Sequence, residues 1–254
     1  VHFWGASSFG SNRVMGTFTA GGTIDLAFDY EPGASDVFVI FENGVGAGAF
    51  GAVNWLGQAR DGWAGFVGNN FVVSNVASSQ WVWDGEAGDD NWSSATNWVG
   101  DRALPNDGKA NVIFAATNLR TTPWVDTNWA VRSVTFSNIG AAFALAGSNI
   151  TVMGSLGTGL VQSSAAAQTI SNTVVLGGGQ AWYASGGDLL LATNVEFGGH
   201  ELTLSGAQRF RVSNDWVVDN GSLRVSGGNL EVRGTNALGS NYFLFVGQDA
   251  GGAQ

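Results

Sequence analysis

Side chains suited to acid–base chemistry are scarce in this sequence. There are two histidines, His2 and His200, and no cysteine. A Ser-His-Asp site needs a histidine base oriented by a carboxylate, and the G-x-S-x-G turn that presents such a serine does not occur. His200 follows Gly198-Gly199, which predicts a turn. We therefore expect neither histidine to be catalytic.

Carboxylates in the second half of the chain offer another route to catalysis. Enzymes that cleave polysaccharides on a β-helix need paired carboxylates, or a Lys or Arg base with calcium, on one exposed face. Glu196 and Glu201 are close enough in sequence to form such a pair, but we interpret these carboxylates as solvated coil edges and expect no enzyme. The carboxylates beyond Val131 are Asp188, Glu196, Glu201, Asp215, Asp219, Glu231 and Asp249.

One acidic cluster stands out, formed by Asp84, Glu86, Asp89 and Asp90 around two glycines. Alternating oxygen ligands could hold calcium in this Asp84–Asp90 loop, although the spacing does not match the twelve-residue helix-loop-helix site. Asp and Asn also staple turns by bonding side chain to backbone. We favour the stapled turn, so the sequence predicts no catalytic, cofactor-binding or metal site.

Tryptophan is abundant, at 11 residues, and four of these cluster at Trp81, Trp83, Trp92 and Trp98. Exposed aromatic rings can stack on sugars, which would make the segment a carbohydrate-binding site. The same rings could instead cover the open apolar end of a stacked β-structure. We favour the cap, because a repeat array needs one.

Composition restricts the class of protein. Glycine reaches 39 residues without the three-residue period of collagen, and a hydrophobic content of 44 % argues against disorder. The net charge of −10, with Lys109 as the only lysine, disfavours nucleic acid and anionic membrane surfaces as binding partners.

No apolar run approaches the ~20 residues of a membrane-spanning helix. The chain starts at Val1 without a signal peptide, so we infer a processed or truncated chain.

The pattern of residues 1–79 predicts a small β unit. This unit is either sandwich-like or the end of a preceding repeat block. Residues from Thr23 to Tyr30 alternate apolar with polar, as in a half-buried strand. The continuous apolar run Val37 to Phe41 predicts a strand covered on both faces, and Asn43-Gly44 predicts a tight hairpin at its end. A second strand pair is expected around Val53 to Leu56 and Phe71 to Val76.

Beyond residue 131 the pattern predicts a β-solenoid. Short apolar strands recur between Gly and Asn turns at an irregular period of roughly 20 residues, as stacked coils require. We therefore expect three parts: the β unit 1–79, a Trp/Asp/Asn-rich cap 80–130, and solenoid coils 131–254. The predicted strands are Val131 to Phe136, Ile150 to Met153, Thr173 to Leu176, Leu189 to Leu191, Val195 to Phe197, Leu202 to Leu204, Phe210 to Val212, Leu223 to Val225, Leu230 to Val232 and Phe243 to Val246.

The segment Trp83 to Trp98, WDGEAGDDNWSSATNW, resembles the opening motif of autotransporter-associated β-strand repeat proteins. Later stretches such as Val134-Thr135-Phe136 and Asn236-Ala237-Leu238-Gly239 are also similar to that family. The resemblance implies an all-β, right-handed parallel β-helix that is exported across a Gram-negative envelope as an adhesive or structural stalk. One departure is that the stretch Phe28 to Phe41 resembles a segment that the family places at the end of a block, whereas here it comes first.

These observations together predict a secreted structural or adhesive protein, extracellular or on the outer surface of a Gram-negative-type bacterium. The alternatives are a polysaccharide-degrading β-helix enzyme and a carbohydrate-binding module, so surface glycans are candidate partners. Because no capping element follows Val246 and charged residues make up only 12 %, we also expect self-association into a fibre or surface layer. A longer array, in which further coils cover that end, is the alternative.

Overall fold

The computed structural model describes residues 1–33, 35–115, 120–137, 140–154, 158–213, 216–217, 220–227, 229–233 and 243–246. Strands hold 56 % of the chain and helix 1 %, and parallel coils stack into a β-solenoid of about 10 turns, so the predicted all-β solenoid is confirmed. The chain divides into two units, Val1–Gln80 and Trp81–Gln254.

The first unit is built from two four-stranded sheets. One sheet has the order β2-β1-β4-β6 and the other the order β3-β5-β8-β7. Its strands are β1 His2–Gly5, β2 Ser8–Phe9, β3 Asn12–Ala20, β4 Thr23–Phe28, β5 Val37–Gly48, β6 Ala52–Gly57, β7 Ala59–Val67 and β8 Asn70–Ser78.

Alternation along these strands creates the core of the first unit. In β4 the apolar Ile24, Leu26 and Phe28 are buried and the intervening Asp25 is exposed, as predicted. Phe28 stacks on Phe3 of β1 with ring centroids 4.1 Å apart. Both sheets contribute to this one buried cluster, which also contains Phe38, Ile40, Phe71 and Val73.

Three predictions for the first unit are wrong. Val37 is 62 % exposed, so the Val37 to Phe41 stretch is buried on one face only. Strand β5 continues through Asn43-Gly44 to Gly48, because its segment 41–48 pairs in parallel with β3. The tight hairpin instead joins β7 to β8 at residues 68–69. The expected second strand pair does not form, since β6 and β8 belong to different sheets.

The second unit begins with β9 (Gln80–Val82), a 3₁₀ turn (Ala95–Asn97) and then the coils. Its strands are β10 Asn111–Phe114, β11 Trp124–Val125, β12 Trp129–Val131, β13 Ser133–Phe136, β14 Ala144–Gly147, β15 Ile150–Val152, β16 Thr158–Gln162, β17 Gln168–Ile170, β18 Val174–Leu176, β19 Gln180–Ala184, β20 Leu189–Leu191, β21 Val195–Glu196, β22 Glu201–Ser205, β23 Arg209–Val212, β24 Trp216–Val217, β25 Ser222–Val225, β26 Asn229–Val232 and β27 Phe243–Val246.

Each full coil contributes one strand to each of three parallel sheets. The first solenoid sheet runs β9-β10-β13-β16-β19-β22-β25-β27, the second β11-β14-β17-β20-β23-β26, and the third β12-β15-β18-β21-β24. The number of residues per coil varies. Paired residues on neighbouring coils are closer in sequence at Arg209 and Asn229 than at Val134 and Leu160. Apolar side chains stack on like side chains inside the solenoid, as Leu202 does on Leu223.

The stacked strands start earlier than the predicted residue 131. Strand β10 already pairs with β13, and β11 with β14. The predicted strand Val131 to Phe136 is two strands, because the chain turns a corner at the buried Arg132. Five further strands beyond residue 131 were not predicted, β14, β16, β17, β19 and β24, and three of these carry a buried glutamine instead of an uninterrupted apolar pattern.

Gly206 is required at a corner between two coils. Its φ is +118°, and a Cβ added there would overlap the carbonyl oxygen of Ala184 in the coil below. That oxygen already accepts a hydrogen bond from the N–H of Gln208 at 2.8 Å. Gly227 also has a positive φ, +69°, but a Cβ there would meet open space.

We predict that Gly206→Ala destabilises the solenoid by about 3 kcal/mol, because backbone strain and the clash with Ala184 act together. Gly227→Ala carries the backbone strain alone and should cost about 1 kcal/mol. Urea unfolding of both variants, followed by circular dichroism, gives the comparison. Equal losses for the two variants would contradict the close approach of the coils at Gly206.

Candidate functional site

The Trp-rich segment forms the first, partial coil of the second unit. Strand β9 pairs with β10 at the end of the first solenoid sheet. Asn91 forms a parallel bridge with Trp124, which places the segment beneath the second sheet as well. The indoles of Trp83, Trp92 and Trp98 are fully buried against the coil interior. These indoles therefore cover the first full coil of the solenoid, whereas residues 111–130 of the predicted cap 80–130 already belong to the coils.

The rings of this cap contact one another and the first coil. Trp98 meets Trp83 edge to face at 5.2 Å and Trp92 at 5.8 Å. Trp92 also lies 6.4 Å from both Phe114 and Trp129. The Trp98 indole N–H donates to the carbonyl of Trp92 at 2.9 Å. Because these ring faces are covered by protein, none is presented to a sugar.

The acidic loop is stapled by side-chain hydrogen bonds. The Asp89 carboxylate accepts the N–H of Asn91 and the hydroxyl of Ser94, both at 3.0 Å. The fully buried Asn97 amide accepts from the N–H of Ala87 and donates to the carbonyl of Asn91. The hydrogen bonds from Asn91, Ser94 and Asn97, with the nearby charge of Arg120, hold the pKa of Asp89 below its usual range.

Two other carboxylates of the loop, those of Asp90 and Asp84, have partners too. Asp90 forms an ion pair with Arg120 at 2.8 Å and accepts the hydroxyl hydrogen of Thr122 at 3.1 Å. Asp84 accepts a long hydrogen bond, 3.4 Å, from the N–H of Glu86. Within the described residues, no group of three or more His, Asp or Glu side chains is arranged to hold a metal ion.

The other candidate residues lie apart. His2 pairs with Asp29 in the first unit, with His2 Nε2 2.8 Å from the carboxylate. His200 closes the predicted turn, where its N–H donates to the carbonyl of Phe197. Glu196 lies on β21 in the third solenoid sheet and Glu201 on β22 in the first, so the two belong to different faces.

Buried amides link successive coils, a feature that the sequence analysis missed. The side chain of Gln168 accepts from the N–H of Phe143 at 2.6 Å, and that of Gln180 donates to the carbonyl of Val152 at 2.8 Å. Asn172 donates to the carbonyl of Ser148 at 2.7 Å. Each bond joins one coil to the coil before it, and because the partners 24 to 28 residues away are backbone groups, no pattern of side chains in the sequence marks these bonds.

A charge network on the second solenoid sheet was also missed. Arg209 pairs with Asp188 at 2.9 Å, and Arg211 and Arg233 both pair with Glu231. The hydrogen bonds from the two arginines lower the pKa of Glu231, and the bond to Glu231 raises the pKa of Arg211. These residues looked dispersed in the sequence because coil stacking brings together positions 20 or 21 residues apart.

Comparison of the chain with family models, with curated proteins and with solved structures gives no match. The resemblance to autotransporter-associated repeat proteins therefore stays a prediction. Among the described residues, no helix has the length and apolar character needed to cross a membrane. The stretch from Gly247 onward, on which the expected self-association partly depended, lies outside the described residues, as do Asp215, Asp219 and Asp249.

We predict that Asp89→Asn lowers the melting temperature at pH 7 and that the difference disappears in acid. The depressed pKa of Asp89 means that its ionised form stabilises the fold above the ordinary aspartate pKa of about 3.9. This stabilisation is lost as the pH falls through the lower pKa of the folded state. Thermal unfolding of both proteins from pH 7 to pH 2 measures the difference.

Glu86→Gln is the matched control, because it removes an exposed carboxylate from the same loop, and no side-chain hydrogen bond of that carboxylate joins it to the described residues. This variant should follow the wild type across the pH range. A gap for Asp89→Asn that persists at the lowest pH would contradict the proposed role of the carboxylate charge.

Proposed function

We propose that this chain is a structural and adhesive module secreted to the surface of a bacterium, with the solenoid serving as a rigid rod. The observation that carries the proposal is the bonding between coils. Backbone ladders in three sheets join each coil to the next, and buried amides add further links along the same direction. A stack bonded in this way resists bending and local opening, as a stalk under tension must.

Composition supports the surface location. The chain has no cysteine, one lysine and many Gly, Ser, Thr and Asn residues, a pattern usual for exported bacterial β-proteins. The Trp83 to Trp98 segment resembles the opening motif of a family of exported stalks. Self-association into fibres or layers belongs to the same proposal, and light scattering of the purified chain across a range of concentrations tests it.

The location is tested by antibody labelling of the producing cells before and after permeabilisation. We expect intact cells to be labelled as strongly as permeabilised cells, and brief protease treatment of intact cells should remove the label. A cytoplasmic protein used as a control should be labelled only after permeabilisation. Labelling of this chain only after permeabilisation would overturn the proposal.

The rod is tested by pulling single molecules from both ends. We expect the solenoid to open coil by coil, with steps of about 70 Å for a coil of about 21 residues. Gln168→Leu should lower the force of one step, because the N–H of Phe143 and the carbonyl of Ala166 lose their buried partner. The control Gln208→Leu alters a half-buried glutamine at a turn and should leave the forces unchanged. Opening of the whole chain at negligible force would contradict a role under tension.

The enzyme alternative is tested on the same purified chain. Incubation with pectin and alginate should release no new chain ends. Turnover that is lost in Glu196→Gln or Glu201→Gln would replace the structural proposal by a polysaccharide-degrading enzyme.

A further inference from the structure

The outer face of sheet β2-β1-β4-β6 in the first unit carries an exposed indole among polar side chains. Trp4 is 56 % exposed, although tryptophan is usually well buried. Asp25, Asp29 and Asn54 are exposed on the same face, and so is His2. We call these five residues the Trp4 face.

Strand register brings the polar groups to the ring. Phe3 pairs with Phe28 on parallel strands, so Trp4 and Asp29 come next to each other one position further along. The His2 ring lies 5.0 Å from the Trp4 ring, and its Nε2 is 2.8 Å from the Asp29 carboxylate. His2 and Asp29 thus hold each other beside the exposed indole.

The two carboxylates retain free hydrogen-bonding capacity. Asp29 uses Oδ2 towards His2, and Asp25 uses Oδ1 towards the amide of Asn54 at 2.7 Å. A carboxylate can accept about four hydrogen bonds, so each keeps room for donors from outside the chain.

The charge of this face selects the ligand. The segment Val1–Gln80 contains two arginines, Arg13 and Arg60, and the sheet of the Trp4 face holds neither of them. The carboxylates of the same segment are more numerous, and two of them, Asp25 and Asp29, lie on the Trp4 face. Such a surface repels uronates, sulfated chains and nucleic acid. An apolar ring face flanked by acceptors suits a ligand with one apolar face and many hydroxyl donors, and neutral sugars have this chemistry.

We propose that the Trp4 face binds a neutral glycan chain, with one pyranose ring stacked on Trp4 and donating a hydrogen bond to Asp29, and with a further sugar of the same chain donating to Asp25. The carbohydrate-binding property thus belongs to the first unit and not to the Trp-rich cap of the second. The proposal does not depend on the structural role of the solenoid, because the ligand is bound by the first unit whether or not the protein is a surface stalk.

The test is affinity electrophoresis of the whole purified chain in native gels that contain one polymer each. The neutral polymers are hydroxyethylcellulose, xylan, galactomannan and glycogen, and the acidic polymers are alginate and polygalacturonate. We expect at least one neutral polymer to retard the chain and neither acidic polymer to do so. Titration with an oligosaccharide of the retarding polymer then gives the affinity.

Variants locate the site. Trp4→Ala should weaken binding about 30-fold, as truncation of a central aromatic contact does. Trp4→Phe should restore part of the affinity, and Asp29→Asn should weaken binding about tenfold by removing a charged acceptor. The matched control is Trp124→Ala, because Trp124 lies on the solenoid and is exposed to a similar degree, 49 %. This variant should leave binding unchanged.

Four results would overturn the proposal. These are the absence of retardation by all four neutral polymers, retardation by the acidic polymers alone, full binding by Trp4→Ala, and equal loss of binding in Trp124→Ala. Because the assay uses purified chain, failure of the surface-labelling experiment would not change its outcome, and the two proposals can fail separately.

Discussion

Stacking of parallel strands in register is the interaction on which the second unit depends. Every coil places its strands directly above those of the coil before it, and the backbone hydrogen bonds run between coils. An inward side chain therefore packs on the side chain at the same position one coil away, as Leu189 does on Phe210. The choice of residue at one position is consequently constrained by a residue a whole coil away along the chain, while immediate sequence neighbours can differ widely.

The same constraint explains how polar residues are accommodated inside the solenoid. A buried amide would be costly alone, because its donors and acceptor would lose their bonds to water. Stacking supplies backbone partners in the preceding coil to Gln168 and Gln180. Gln162 instead bonds within its own coil, where it donates to the carbonyls of Ser164 and Ala166 and accepts from the N–H of Ser164. The interior glutamines thus complete hydrogen bonds at corners where the backbone leaves a sheet, and they fix the path of the chain there.

Local patterns in the sequence predicted much of the fold, and long-range pairing decided what they missed. Strand β4 follows from the alternation of its side chains, and short strands such as Leu189–Leu191 follow from apolar runs bounded by turn residues. Asn43-Gly44 has the chemistry of a hairpin turn, yet parallel pairing with β3 keeps it extended. Strand Gln168–Ile170 escaped prediction because its first inward residue is a glutamine, which is satisfied partly by Ala141 and Phe143 in the preceding coil. The cap was predictable from its clustered tryptophans, whereas the Trp4 face was not, since its members become neighbours only through the pairing of β1 with β4.

The constancy of coil length near the end of the solenoid has a consequence at the level of the gene. Leu202 pairs with Leu223, and Leu223 with Leu244, so two successive coils are equal in length. Insertion or loss of one such block by unequal recombination would keep the strand register of this sheet and leave the reading frame intact. A change in the number of coils would therefore lengthen or shorten the solenoid without requiring a new fold.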